Sequence, residues 1–257
     1  MSETVLLEHL PYETDDGISS RARLGLISLA SDYTVEYEFQ QVLRHLPGVA
    51  LYVARIPNSP NVTPETLAAM EAHLTATAET LLPGDRVDAI AYGCTSASMI
   101  IGPEAVARHV NAAKPDAVVT NPISSALRAF EKLDMQRVGV LTPYTADVNA
   151  GIQRFIEAAG LTVPVFASFN ESSDTVVASI TSASLRRTVH TLADAGEMDG
   201  IFVSCTSIRL LDQIETLEQE LGMPVTSSNH ALIWNSLRGA GIPDTLPGLG
   251  RLFHKVE

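Results

Sequence analysis

The feature that most limits the fold is an alternation. Short, nearly continuous apolar runs are separated by stretches with helical periodicity. In the first half these runs are LGLISLA (Leu24–Ala30), VALYVAR (Val49–Arg55), VDAIAYG (Val87–Gly93) and AVVT (Ala117–Thr120). The second half has RVGVLTP (Arg137–Pro143), TVPVFASF (Thr162–Phe169), GIFVSC (Gly200–Cys205) and PVTSS (Pro224–Ser228). A strand that is apolar on both faces has to be covered on both faces, and helical connections between such strands make the sheet parallel. Thr63 before Pro64-Glu65 has the chemistry of a helix start, with proline at the first helical position.

The two halves share an order of elements. The third run of the first half is followed by Cys94-Thr95-Ser96, a helical stretch, a strand and TNPISSAL (Thr120–Leu127). The third run of the second half is followed by Cys205-Thr206-Ser207, a helical stretch, a strand and TSSNHAL (Thr226–Leu232). The expected fold is α/β: two pseudo-symmetric lobes, each with roughly four parallel strands, enclosing a site in the cleft between them. Residues 1–20 read as an N-terminal arm, 21–132 as the first lobe and 133–228 as the second. Residues 229–257 read as a segment that packs back on the first lobe.

Composition narrows the functional classes. The chain has 257 residues, 46% hydrophobic and 18% charged, which suits a folded globular protein. Its formal net charge of −13, with no basic run, excludes nucleic acid and anionic membrane as natural partners. A local set of donors can still hold an anionic small molecule. The start of the chain lacks the features of a secretory signal, and no apolar run is long enough to span a bilayer. Two cysteines in a chain of this length do not form a disulfide framework. The expectation is a cytoplasmic protein with two free thiols.

Each cysteine follows an apolar strand and precedes a Thr-Ser pair, where ligands bind in open parallel sheets. Each is expected at the start of a helix, where unpaired N–H groups favour an anion and lower a thiol pKa toward neutrality. A small buried hydrophobe would explain one such cysteine; it does not explain two in matched context. Neither C-x-x-C nor H-E-x-x-H spacing is present, so no metal and no redox pair is expected. Glycines occur without a P-loop or dinucleotide fingerprint, and Lys114, Lys132 and Lys255 have no cofactor-lysine context, so no cofactor is expected. Two opposed thiols can exchange a proton across a carbon next to a carboxylate, one as base and one as acid. A Cys-His hydrolase using His230 as base would need only one of them.

The motifs LISLASDYTVEYEF, AYGCTSAS, VGVLTPYTADVN, VSCTSIR and SSNHALIW together resemble the aspartate/glutamate racemase superfamily. Within it, the chain looks like the branch of maleate cis–trans isomerases and arylmalonate decarboxylases, over roughly Leu24 to Leu237. The resemblance implies one catalytic cysteine per lobe, at Cys94 and Cys205. The decarboxylases lack the first cysteine; the isomerases keep both and use one as a nucleophile. It further implies that Tyr144 contacts a substrate carboxylate, and that Thr95, Ser96, Thr206 and Ser207 form carboxylate-binding turns. Ser31, Asn121, Arg209 and His230 are further candidates.

Two positions depart from the isomerase pattern. Asp32 and Asp174 stand where the isomerases have carboxylate-binding asparagines. An ionised aspartate cannot donate to a carboxylate and repels it. The pair points to a substrate with one carboxylate and an amino or amido end. In this the chain resembles racemase-like proteins of ectoine utilisation, which implies a racemase or epimerase of a diaminobutyrate-related amino acid. The other readings are a maleate-type isomerase with Cys94 as nucleophile and a metabolite-binding sensor without catalysis. The resemblance also implies a homo-oligomer, dimer or tetramer.

Overall fold

The computed structural model describes residues 4–59, 63–171 and 173–254. Residues 1–3 of the arm and 255–257 of the C-terminal segment, Lys255 included, lie outside the described residues. The first half runs β1 (Ala22–Leu29), α1 (Val35–Leu43), β2 (Val49–Ile56), α2 (Pro64–Ala69), α3 (Leu74–Glu79) and β3 (Ala89–Gly93). It continues with α4 (Thr95–Ile101), α5 (Pro103–Ala113), β4 (Val118–Thr120) and α6 (Pro122–Lys132). The second half runs β5 (Val138–Thr142), α7 (Ala146–Ala158), β6 (Phe166–Ser168), α8 (Asp174–Ala178), α9 (Ser182–Asp194) and β7 (Gly200–Val203). It ends with α10 (Ile214–Leu221), β8 (Val225–Ser227), α11 (Ser228–Gly239) and α12 (Arg251–His254).

The strands form two four-stranded sheets, ordered β2-β1-β3-β4 and β6-β5-β7-β8, and every pairing is parallel. Replacing each strand of the first sheet by its counterpart four places later gives the second order, so the internal repeat is a repeat of topology. In each sheet the chain leaves the starting strand in one direction and returns to its other side. That reversal lies between β1 and β3 in the first sheet and between β5 and β7 in the second. Crevices at such switch points, beyond the carboxyl ends of the strands, are where open α/β sheets hold ligands.

The strands are apolar throughout because both faces are covered. Leu24, Leu26, Ile90, Val138, Val140 and Phe202 are all inaccessible to solvent. One core cluster draws residues from both halves, and Phe130 of α6 meets Phe202 of β7 edge to face, with ring centroids 5.3 Å apart. The expected helix start at Thr63 is a capping box, with Thr63 Oγ1 accepting from Thr66 N. The stretch it opens is α2, a 3-10 turn at Met70–His73 and α3.

The C-terminal segment packs on the first half and also reaches the second. α11 packs against α6, β3 and β4 of the first half. Farther on, Arg251 N donates to Glu218 Oε2 of α10 at 2.7 Å. The segment therefore touches both halves. Residues 4–20 carry no regular element, and Val5, Leu6, Leu7, Leu10 and Tyr12 are exposed.

Candidate active site

Both cysteines stand at the carboxyl ends of the strands that flank the switch points, Cys94 after β3 and Cys205 after β7. Both are 4% exposed and unpaired as disulfides. They line one cavity together with Ser96, Tyr144, Asp174, Thr206 and Ser207, so residues 111 positions apart share a wall. Its volume is about 20 Å³, room for little more than one water. A four-carbon acid cannot occupy it without the walls moving apart. Leu29, Leu67 and Met70 make its apolar side, and Asn58 adds an amide.

The two cysteine turns are tied to each other. Thr95 Oγ1 donates to Ser228 Oγ at 2.9 Å, and Cys205 N donates to the same oxygen at 3.0 Å. Thr206 Oγ1 donates to Gly93 O at 3.4 Å. Tyr144 is fixed from below: Asn149 Nδ2 and Ser168 Oγ donate to its carbonyl, and its hydroxyl hydrogen-bonds toward the Cys205 sulfur.

The expectation of thiols made acidic by helix N-termini is overturned. Burial pushes Cys94 up to about 12, against hydrogen bonds from Ala97 N–H and the Ser96 hydroxyl. Burial likewise pushes Cys205 up to about 12, against the Tyr144 hydroxyl and Ser207 N–H. The charges of Asp174 and Asp32 raise both thiols further. Buried in this way, both sulfurs are protonated at neutral pH. Only Cys94 caps a helix; Cys205 leads into a turn and a 3-10 segment, Leu211–Gln213.

Asp174 lines the cavity and joins the halves. Its Oδ2 accepts from Ser31 Oγ at 3.0 Å, and its Oδ1 from Ser207 Oγ at 3.4 Å. Asn58 Nδ2 donates to Ser31 Oγ at 2.8 Å, which bolsters that contact. Asp32 sits behind the wall. Its Oδ1 accepts from Thr34 N and Val35 N at 2.7 and 2.8 Å, capping α1, while Oδ2 is buried with no hydrogen-bond partner. Thr206 lies close enough to lower its pKa, but that hydroxyl is directed at Gly93 O. Burial raises Asp32 to about 6 and raises Asp174 as well.

Three sequence candidates lie elsewhere. His230 is fully buried in α11, between Thr226 Oγ1 at 3.0 Å and Leu249 O at 2.8 Å, with Phe253 against its ring. Burial pushes it down to about 4, so it is a neutral core histidine and not the base of a Cys-His pair. Asn121 caps α6 through Ser124 N. Arg209 lines a separate cavity with Tyr37, His45 and Leu246. Thr95 and Ser31 are one step back from the cavity, each through its hydroxyl. Conversely, Ser228, Asn58 and Glu38 act at or behind the site without having been singled out. Arg55 braces the loop after β1 by donating to Leu29 O and Asp32 O at 3.2 and 2.9 Å. Among the described residues, no group of three or more His, Cys, Asp and Glu side chains is arranged to hold a metal ion. None of the described helices is long and apolar enough to cross a membrane.

Two parallel sheets of equal topology, each bringing one cysteine to a shared cavity, define the aspartate/glutamate racemase-like fold class. Within it the chain belongs to the arylmalonate decarboxylase family, whose model matches residues 52–253. The maleate isomerase of Nocardia farcinica is 29% identical over 243 residues, covering 91% of this chain and 96% of the relative. The arylmalonate decarboxylase of Bordetella bronchiseptica is 32% identical over 136 residues, 52% of this chain. A solved structure of the Nocardia farcinica enzyme, a cysteine-to-serine mutant with a covalently bound succinylcysteine intermediate, is 27% identical with a TM-score of 0.81. It covers 92% of this chain and 99% of that one. At the level of fold, a maleate isomerase from Pseudomonas putida with maleate gives a TM-score of 0.83 over 91% of this chain and 97% of that one.

Proposed function

We propose that the protein is a cofactor-independent, two-cysteine racemase or epimerase acting on an amino-acid derivative. The observation that carries the reading is Asp174 in the wall of the thiol cavity, with Asp32 close behind it. Their negative charges hold both thiols up. A dianionic substrate would add to that push and meet two like-charged carboxyls. A substrate with one carboxylate and an ammonium or amide end does the reverse. Its donor end neutralises the aspartates, and the thiols become more acidic as it binds.

In this reading Tyr144, Ser96, Thr206 and Ser207 hold the carboxylate, with Thr95 supporting from behind. One cysteine, as thiolate, takes the α-proton; a C–H bond breaks and an S–H bond forms. The other thiol returns a proton to the opposite face, and charge on the carboxylate in between is met by the hydroxyls. Diaminobutyrate and its acetylated, ectoine-derived relatives have the required ends. The test is proton NMR of such an amino acid with the enzyme in D2O. Loss of the α-proton signal and of optical activity is expected. Asp174→Asn should lower kcat/KM by about 100-fold, the scale of one lost charge-assisted contact. Faster turnover of maleate than of any amino acid would overturn the proposal.

A second reading has its own support in the covalent intermediate of the Nocardia farcinica relative. Here Cys94 adds to the double bond of an unsaturated diacid and the bond rotates. The raised aspartates would have to be protonated to accept the second carboxylate. A diacid's KM would then worsen as the pH climbs, whereas that of a cationic substrate would improve. Mass spectrometry of the enzyme with maleate should show an adduct on Cys94 if this second reading is correct.

A further inference from the structure

Glu38 is a buried carboxylate whose partners are all N–H donors. It lies on the inner face of α1, 3% exposed. Its Oε1 accepts from Leu210 N and Leu211 N, each at 3.0 Å, and its Oε2 accepts from Asn229 Nδ2 at 2.8 Å. Burying a carboxylate without a cation costs several kcal/mol, so the contacts it makes must offset that. All three lead to one segment. Leu210 and Leu211 end the loop that Cys205 begins, and Asn229 Nδ2 also donates to Thr206 O at 2.9 Å.

That segment carries the strain of the site. Cys205 has φ of +148°, a region disfavoured for residues with a Cβ. Such a conformation costs on the order of 1–3 kcal/mol and persists only where its surroundings over-determine it. No helix follows directly to hold it. The surroundings are instead Thr34 Oγ1, which donates to Ser207 O at 2.9 Å, and the Glu38–Asn229 pair.

We propose that Glu38 is a positioning residue for Cys205: through Leu210, Leu211 and Asn229 it holds the strained turn that presents this sulfur to the cavity. The inference does not depend on which reaction the thiols perform. Glu38 acts as an ionised carboxylate above about pH 7, to which burial raises its titration, so the test is run at pH 8. A glutamine at this position keeps one acceptor for Leu210 and Leu211 but turns an NH₂ toward the Asn229 NH₂. Rotating the Asn229 amide relieves that clash only by facing its oxygen at Thr206 O.

The test is alkylation of the intact protein by iodoacetamide, with the rate at each cysteine read by peptide mass spectrometry. Glu38→Gln is expected to speed labelling of Cys205 at least fivefold while Cys94 stays within twofold. Asn229→Ala leaves the carboxylate in place and should act in the same direction. The double variant should label no faster than the faster single, since the two residues act as a unit. Thr34→Val, which removes a different bond to the same turn, should also favour Cys205. Equal acceleration at both cysteines would mean general loosening and would overturn the proposal, as would unchanged labelling at Cys205 in Glu38→Gln or, where that variant does not fold, in Asn229→Ala.

Discussion

Cys94 and Cys205 reach the same cavity by unlike routes. Cys94 has φ of −146° and caps α4 directly, and Ser98 Oγ of that helix donates to its carbonyl at 2.6 Å. Its backbone is ordinary extended chain, and most of what holds it lies within a few residues. Cys205 has φ of +148° and no helix directly behind it. Its turn is braced by Thr34 and Glu38 of the first half and by Ser228 and Asn229 of α11. The two sheets repeat in topology, and each supplies a thiol. The scaffolding behind the thiols does not repeat. One turn is locally built and the other is imposed by the rest of the molecule.

The sharpest way to break this comparison is to remove one sulfur at a time. If the two thiols face opposite sides of one carbon, Cys94→Ser and Cys205→Ser should each lower racemisation on the order of 10³-fold, within the range for a positioned acid or base. Each variant keeps one thiol. Each should therefore still exchange the α-proton of one enantiomer in D2O, and the two variants should prefer opposite enantiomers. Proton NMR of each enantiomer separately reads this out. Full racemisation by either variant would remove that cysteine from the proton path.

The imposed turn should also make stability depend on pH in a particular direction. Folded, Glu38 keeps its proton to about pH 7 and Asp32 to about pH 6, against ordinary values of 4.5 and 3.8. Over those intervals the native state binds more protons than the unfolded chain, so stability falls as pH rises. His230 acts oppositely: its folded value of about 4 lies below the ordinary 6.5, so stability falls as pH drops between them. Two carboxyls outweigh one imidazole. Urea unfolding should show about 2 kcal/mol less stability at pH 8 than at pH 5. Glu38→Gln should flatten that difference. An unchanged pH dependence in Glu38→Gln would mean that the carboxyl titrates alike in both states.

The parallel strands were legible because burial on both faces leaves continuous apolar runs; VALYVAR became Val49–Ile56 and VDAIAYG became Ala89–Gly93 with little change. TVPVFASF did not pair along its whole length. Pro164 lacks an N–H for the ladder, and β6 is confined to Phe166–Ser168. The cavity wall was legible where the repeat marked it, at the two cysteine turns. Glu38 and Ser228 were missed because their roles rest on partners 172 and 133 residues away in the chain. One signal for Glu38 was present: with Val35, Phe39 and Val42 it falls on the apolar stripe of α1, where a carboxylate needs a reason. The direction of the thiol shifts could not be read, since it is set by burial and by two aspartates that meet the sulfurs only in the folded chain.

The smallest test concerns the last strand of each sheet. Asn121 follows β4 and caps α6, its Oδ1 accepting from Ser124 N at 3.0 Å. Ser227 ends β8 and caps α11, its Oγ accepting from His230 N at 3.2 Å. Removing either cap should cost about 1 kcal/mol in urea unfolding. Turnover should separate them. The cap of α6 is a local bond to Ser124 N, away from both cysteine turns, so Asn121→Ala should leave kcat within twofold. α11 begins with Ser228 and Asn229, which hold the Cys205 turn, so Ser227→Ala should lower kcat severalfold at the same loss of stability. Equal kcat in the two variants would show that the start of α11 keeps its place without its cap, and would leave Glu38 and Thr34 as the braces that matter.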